Sequence, residues 1–340
     1  MEKGTSRIGR RLRRFERWLP PALITGTLLA GLLFLSARHS PRPEDLELQK
    51  QVRQLSSQVQ ELKQEQAMPA MVLTRYRNSI CYIYGVYHVG FPGQRPGLRA
   101  RISGTGFLVG ANLLATNRHV AEPWYEDADA DALMRRGASP ELEKLIAFFP
   151  GAPTPIAVTP IILSANTDLA LLRIENKLPF EPQSLPLSDS PTPAGDIVTV
   201  IGYPMGIAGM VAKSPAAVYQ RLAYRHDDIG AANELAALAL IRPSATVGHL
   251  GDVVGDKLIY DAPTAHGGSG GPVFNSRGEV IGINAAYIDG FSGGTLGVSV
   301  RALRPLIQAA SKKREEARAI QTGPEPKASA SSDPTPPATD

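Results

Sequence analysis

The sequence predicts a mainly β fold of two barrels with helical insertions, preceded by an apolar transmembrane helix and a short coiled-coil stalk. Three observations carry that reading. From about Arg75 onward the chain runs in short apolar and aromatic segments separated by Gly and Pro, the pattern of many brief strands joined by turns. Before that, Leu48, Val52, Leu55, Val59 and Leu62 recur at alternating spacings of four and three, which is a heptad seam. Before that again lies an uncharged apolar run over residues 19–37.

Residues 1–17 form a basic segment in which Lys3, Arg7, Arg10, Arg11, Arg13, Arg14 and Arg17 outnumber Glu2 and Glu16, a local charge of about +5. Such a flank stays in the cytoplasm. Residues 18–37, opened by Trp18, are long enough to cross a hydrocarbon core of ~30 Å. They predict a single-pass signal anchor in a bacterial inner membrane, with the lipid bilayer as partner and the rest of the chain outside the cytoplasm. A cleaved signal peptide is the rival reading. Leu35 and Ala37 make a poor small-x-small cleavage site, which favours the anchor. Residues 43–68 then read as a helical stalk with Val at a and Leu at d, a route to a homo-oligomer. The alternative is a solvated spacer helix.

The formal net charge of +4 resides in the leader, and the remainder sums to about −1. The basic pI is therefore no argument for nucleic acid as a partner. Cys81 is the only cysteine, which rules out an internal disulfide and, within an apolar strand, reads as inert core. Strands are expected over 80–87, 101–109, 113–116, 168–174, 197–203, 258–260 and 280–286, and helical insertions near 140–148 and 231–240. The alternate acids Asp127, Asp129 and Asp131 lack the glycine and final glutamate of a calcium loop and read as a solvated loop. Leu303, Leu306, Ile307 and Ala310 predict a closing helix with Pro305 in its first turn. From Gln321 the composition is that of a disordered tail, 321–340.

The chemistry is concentrated in Thr264-Ala265-His266-Gly267-Gly268-Ser269-Gly270-Gly271-Pro272. A serine among four glycines suits a nucleophile, which needs an exposed hydroxyl and backbone N–H groups turned toward a developing oxyanion. Taken alone, the stretch would be a glycine-rich turn. Upstream, His119 follows an apolar run, and Asp168 stands directly before Leu169-Ala170-Leu171-Leu172. The order His119, Asp168, Ser269 is one of the recurring arrangements of a serine nucleophile, a histidine base and an orienting carboxylate. The glycines also fit the G-x-S-x-G elbow of α/β-hydrolases. That fold needs its histidine after the serine, and the last histidine here is His266.

Six segments in the same order resemble the chymotrypsin-fold serine proteases, and in particular their bacterial HtrA/Deg branch. They are Gly104-Thr105-Gly106-Phe107, Thr116-Asn117-Arg118-His119-Val120, Asp168-Leu169-Ala170-Leu171-Leu172, Ile201-Gly202-Tyr203-Pro204-Met205-Gly206, Asp261-Ala262 through Gly271, and Gly278-Glu279-Val280-Ile281-Gly282-Ile283-Asn284. The resemblance implies a chymotrypsin-like double barrel over residues 76–312. It implies a serine endopeptidase with His119 as base, Asp168 orienting it and Ser269 as nucleophile. The Gly267 and Ser269 N–H groups would form the oxyanion hole. Pro263, Thr264, Ile283, Asn284 and Ala285 would wall the pocket for the residue before the scissile bond. With no acid among them, a small or aliphatic residue is expected there. Protein or peptide substrates are implied, with no cofactor and no metal.

Three departures stand out. Gly268 replaces the aspartate with which trypsins pair a freed N-terminus, and His266 replaces the branch's usual arginine. The segment 207–257 is longer than the family's usual connection. The branch usually carries a PDZ domain after its barrels, and the low-complexity tail is not expected to form one. A latent protease-fold scaffold at the membrane is the alternative to an active enzyme.

Overall fold

A computed structural model describes residues 26, 29–31, 42–94, 97–287 and 294–321. The chain divides into two units, residues 1–64 and 65–340. Helix α1 (Pro43–Tyr76), of which residues 43–64 belong to the first unit, begins with Glu44 and Asp45 in its opening turn, where acids meet the positive end of the helix dipole. Leu48, Val52, Leu55, Val59 and Leu62 are all exposed along it. No helix among the described residues is long and apolar enough to cross a membrane. The expected anchor, 18–37, lies outside the described residues apart from Gly26, Leu29, Ala30 and Gly31.

Among the described residues the second unit holds twelve strands in two closed barrels, the chymotrypsin-like architecture expected. The first barrel is built from β1 (Ile80–Gly90), β2 (Leu98–Gly110), β3 (Leu113–Thr116), β4 (Ser139–Phe148), β5 (Ile156–Leu163) and β6 (Ala170–Ile174), in the order β1-β2-β3-β6-β5-β4. The second uses β7 (Ile197–Gly202), β8 (Ser244–Val254), β9 (Lys257–Tyr260), β10 (Pro272–Phe274), β11 (Val280–Tyr287) and β12 (Thr295–Ser299), in the order β10-β11-β12-β9-β8-β7. Closure pairs the first strand of each sheet with its last, so among the described residues neither barrel ends on an edge strand.

Among the described residues the core falls into four clusters, the smallest of them Tyr87, Val89, Ala130 and Ala138, and period-two alternation sorts the strands of the barrels among the other three. Cys81, Ile83, Leu108, Leu114, Ala147 and Leu172 fill the first barrel, and Val198, Val200, Leu250, Leu258, Tyr260 and Val273 the second. The intervening residues of the same strands form a third cluster that joins the barrels, with Ile80, Tyr82, Phe107, Leu171, Ile201, Tyr203, Phe274 and Ile283 among its members. Strand β1 is thus buried on both faces. Tyr203 crosses the joint, its hydroxyl donating to the Ile80 carbonyl at 3.0 Å.

Helices occupy the connections. They are α2 (Arg118–Ala121), α3 (Ala128–Met134), α4 (Gly206–Ala212), α5 (Ala216–Leu222), α6 (Asp228–Ala237) and α7 (Val300–Gln321). The long 207–257 segment resolves into α4, α5, α6 and then β8. Met210, Val211, Leu222, Ala232 and Leu235 join the cluster between the barrels, and Arg101 of β2 pairs with Asp228 at 2.6 Å.

Three expectations are corrected. The helical insertion near 140–148 is strand β4, bonded to β1 along its length. The acidic loop is the start of α3, where the Asp127 carboxylate caps the helix by accepting from the Ala130 N–H at 2.7 Å, a preferred use of Asp. The closing helix α7 starts at Val300, so Pro305 falls inside it rather than in its first turn.

Candidate active site

Antiparallel register brings His119 and Asp168 together. Strands β3 and β6 pair with Thr116 opposite Ala170, so continuing the register past the strand ends sets residues 118 and 168 across from each other. Asp168 then receives two bonds from His119. Its Oδ1 accepts the His119 backbone N–H at 3.0 Å, and its Oδ2 lies 2.8 Å from Nδ1. Burial pushes the Asp168 carboxyl up, but the hydrogen bonds and charge of His119 outweigh it and hold the group below the ordinary carboxylate range. An ionised Asp168 accepts only, so Nδ1 carries a proton, and in a neutral imidazole Nε2 is then the acceptor.

The turn that carries Asp168 is clamped by the two residues preceding the histidine. Asn117, fully buried, donates through Nδ2 to the Asp168 carbonyl at 2.8 Å. Arg118 donates to the Ser164 carbonyl at 2.9 Å and pairs with Glu122 at 2.6 Å. Its guanidinium lies 4.1 Å from the Tyr125 ring centre. The sequence displayed both residues beside His119 but gave no sign of these partners, which lie 46 and 51 positions away.

The serine loop is pinned from several sides. Its carbonyls at His266, Gly267, Gly268 and Ser269 accept, in turn, from Met205 N–H (2.6 Å), Thr105 Oγ1 (2.7 Å), Asn284 Nδ2 (2.9 Å) and Thr105 N–H (2.7 Å). In a trans peptide the N–H points opposite to the carbonyl. The His266 carbonyl is drawn to Met205, so the Gly267 N–H faces away from that residue. Gly267 and Gly270 both have φ of +88°, which favours glycine. At Gly267 a Cβ would also come within 2.6 Å of the Tyr203 carbonyl oxygen, and at Gly270 it would fall on that of Thr105.

The Ser269 hydroxyl donates to the Ala285 carbonyl at 2.9 Å, and among the described residues it makes no bond to His119. The expected pocket residues separate. Thr264, Asn284 and Ala285 gather beside the serine loop, and Asn284 Nδ2 also donates to Thr264 Oγ1 at 3.0 Å. Pro263 is exposed. Ile283, on the opposite face of β11, is fully buried in the cluster between the barrels. A residue that sequence reasoning left out stands behind the group: the buried Tyr260 donates to Asn284 Oδ1 at 2.8 Å, and desolvation by burial raises its pKa, so the hydroxyl stays protonated. One of its ring carbons and its hydroxyl would lie 3.1 and 3.2 Å from a Cβ at Gly297. His266 is exposed. Among the described residues no group of three or more His, Cys, Asp or Glu could hold a metal ion.

Two joined barrels, with a histidine–carboxylate pair on one and a glycine-bound serine on the other, define the class of trypsin-like peptidases. Residues 104–283 match the trypsin-like peptidase domain family, and the chain belongs to that family. It is similar to the probable periplasmic serine endoprotease DegP-like of Rhizobium meliloti (strain 1021), 29% identical over 203 residues that cover 59% of this chain and 31% of the relative. It is similar also to the DegP-like protein of Chlamydia pneumoniae, 30% identical over 213 residues, 62% of this chain and 34% of the relative. The matched region thus spans about a third of the length of these curated relatives. Among solved structures, the serine endoprotease from Yersinia pestis aligns with a TM-score of 0.45 and 18% identity, covering 71% of this chain and 65% of that one.

Proposed function

We propose that this protein is a serine endopeptidase that cleaves extracytoplasmic proteins or peptides through an acyl-enzyme, using Ser269, His119 and Asp168. The observation that carries the reading is the doubly bonded His119–Asp168 pair, which fixes one imidazole tautomer. Turned from Ala285 toward His119, the Ser269 hydroxyl gives its proton to Nε2 as Oγ attacks the scissile carbonyl. The tetrahedral oxyanion is received by the Gly267 and Ser269 N–H groups, each such donor being worth ~2.7–4 kcal/mol in the transition state. His119 then protonates the leaving amine, and water repeats the sequence to free the acid. Thr264, Asn284 and Ala285 shape the pocket for a small side chain.

The chain is proposed to be held at the inner membrane by residues 18–37, with the peptidase domain, 76–312, in the periplasm. The basic flank and apolar run support this, as does the word periplasmic in the relatives' names. The exposed a/d stripe of α1 supports pairing with a second copy. Sedimentation of full-length protein in detergent checks the pairing: Leu55→Asp should reduce a dimer to a monomer, and a monomeric parent refutes it.

The bond from Ser269 to Ala285 favours a second reading, a latent protease-fold scaffold. Labelling by a fluorophosphonate decides between them, because it requires an activated serine. Wild type should be labelled, while Ser269→Ala takes no label and His119→Ala loses nearly all of it, in line with the loss of on the order of 10⁶ in turnover that follows removal of such a histidine. A folded wild type that takes no label establishes the scaffold instead.

A further inference from the structure

We propose that Thr105, on the first barrel, is a positioning residue for the oxyanion hole of the second. This rests on the peptidase reading above. The two oxyanion donors lie in different peptide planes, the Gly267 N–H in the 266–267 plane and the Ser269 N–H in the 268–269 plane. Met205 N–H holds the first plane by its carbonyl at 2.6 Å, and Asn284 Nδ2 holds the second at 2.9 Å. The 267–268 plane between them sets how the two N–H groups converge. Its carbonyl is bonded by Thr105 Oγ1 at 2.7 Å.

Thr105 has no freedom to do otherwise. Its side chain is fully buried. Its Oγ1 accepts the Tyr203 N–H at 3.1 Å, so its one proton is directed to Gly267. Its N–H donates to the Ser269 carbonyl at 2.7 Å. Its own carbonyl accepts from Thr116 Oγ1 at 2.7 Å, three residues before His119. One threonine therefore ties the strand that leads to the base to both ends of the Gly267–Ser269 segment. Glycines at 267 and 268 leave that segment no side-chain packing of its own, and the hydroxyl supplies the restraint they lack.

The test is the rate of fluorophosphonate labelling of full-length protein in detergent across pH. The phosphoryl oxygen of the probe must enter the oxyanion hole. Thr105→Val keeps the shape and removes the donor, and we expect the plateau rate to fall about 10²-fold, the scale of one lost oxyanion donor. The apparent pKa of the profile should stay put, because His119 and Asp168 are untouched. Thr105→Ser should return most of the rate. Should the valine variant fail to fold, Thr105→Ala removes the same hydroxyl without the branched bulk and is expected to fall as far. Labelling of a hydroxyl-free variant at the wild-type rate overturns the proposal, and so does a Thr105→Ser protein as slow as the valine form. A wild type that takes no label refutes the peptidase reading itself, and this inference with it.

Discussion

Asp168 and Gly270 illustrate two ways in which single residues commit the chain to its site. The folded-state pKa of Asp168 is depressed, so its pairing with His119 contributes stability above the unfolded carboxyl range, near pH 4. That contribution is lost as pH falls through the lower folded value. Denaturant midpoints for wild type should therefore drop more between pH 7 and pH 3 than those of Asp168→Asn. The same substitution leaves the wrong imidazole tautomer and should lower turnover by about 10⁴-fold. Gly270 acts through geometry. Its φ is +88° and a Cβ would fall on the Thr105 carbonyl, so Gly270→Ala should cost at least about 2 kcal/mol in chemical denaturation. The histidine, acid and serine could be read from motifs because each sits in a recognisable local string. Thr105, Asn117 and Tyr260 could not, since their roles are hydrogen bonds to residues 162, 51 and 24 positions away.

Among the elements, the strands with unbroken apolar runs, β1, β3, β6, β7 and β11, were legible because burial on one or both faces leaves a clear pattern. Strand β4 was not. Its first half alternates polar and apolar residues in Ser-Pro-Glu-Leu-Glu-Lys-Leu, and Leu142, Leu145 and Ile146 also satisfy helical spacing. Pairing with β1 settles the ambiguity. Strand β5 was hidden by Pro160, which sits where its register with β6 shifts, a position that tolerates proline. The last turns of α1 have a task the heptad seam did not foretell. Met68 and Val72 are buried, a Cβ at Gly278 would touch both, and Tyr76 stacks on Phe274 of β10 at 5.8 Å with ring planes 9° apart. Tyr76→Ala should destabilise the second unit by about 3 kcal/mol, measured by urea unfolding, while Tyr76→Phe should stay within about 1 kcal/mol.

At the scale of the whole molecule, the double barrel followed from strand density and motif order, while the way the barrels are fastened did not. Tyr203 and Thr105 carry polar bonds across the joint, and the cluster between the barrels is built from residues of both. A polypeptide is made from its N-terminus, and domains generally fold as units during synthesis. His119, Asp168 and Thr105 belong to the first barrel and its connections, whereas Ser269 lies 101 residues after Asp168 and its loop is bonded by Thr105. If His119 is the base, as proposed, a chain that ends before residue 269 holds it without its nucleophile. On the proposed mechanism, the docking of the serine loop onto Thr105 is therefore also the step that brings the nucleophile to the side of its base.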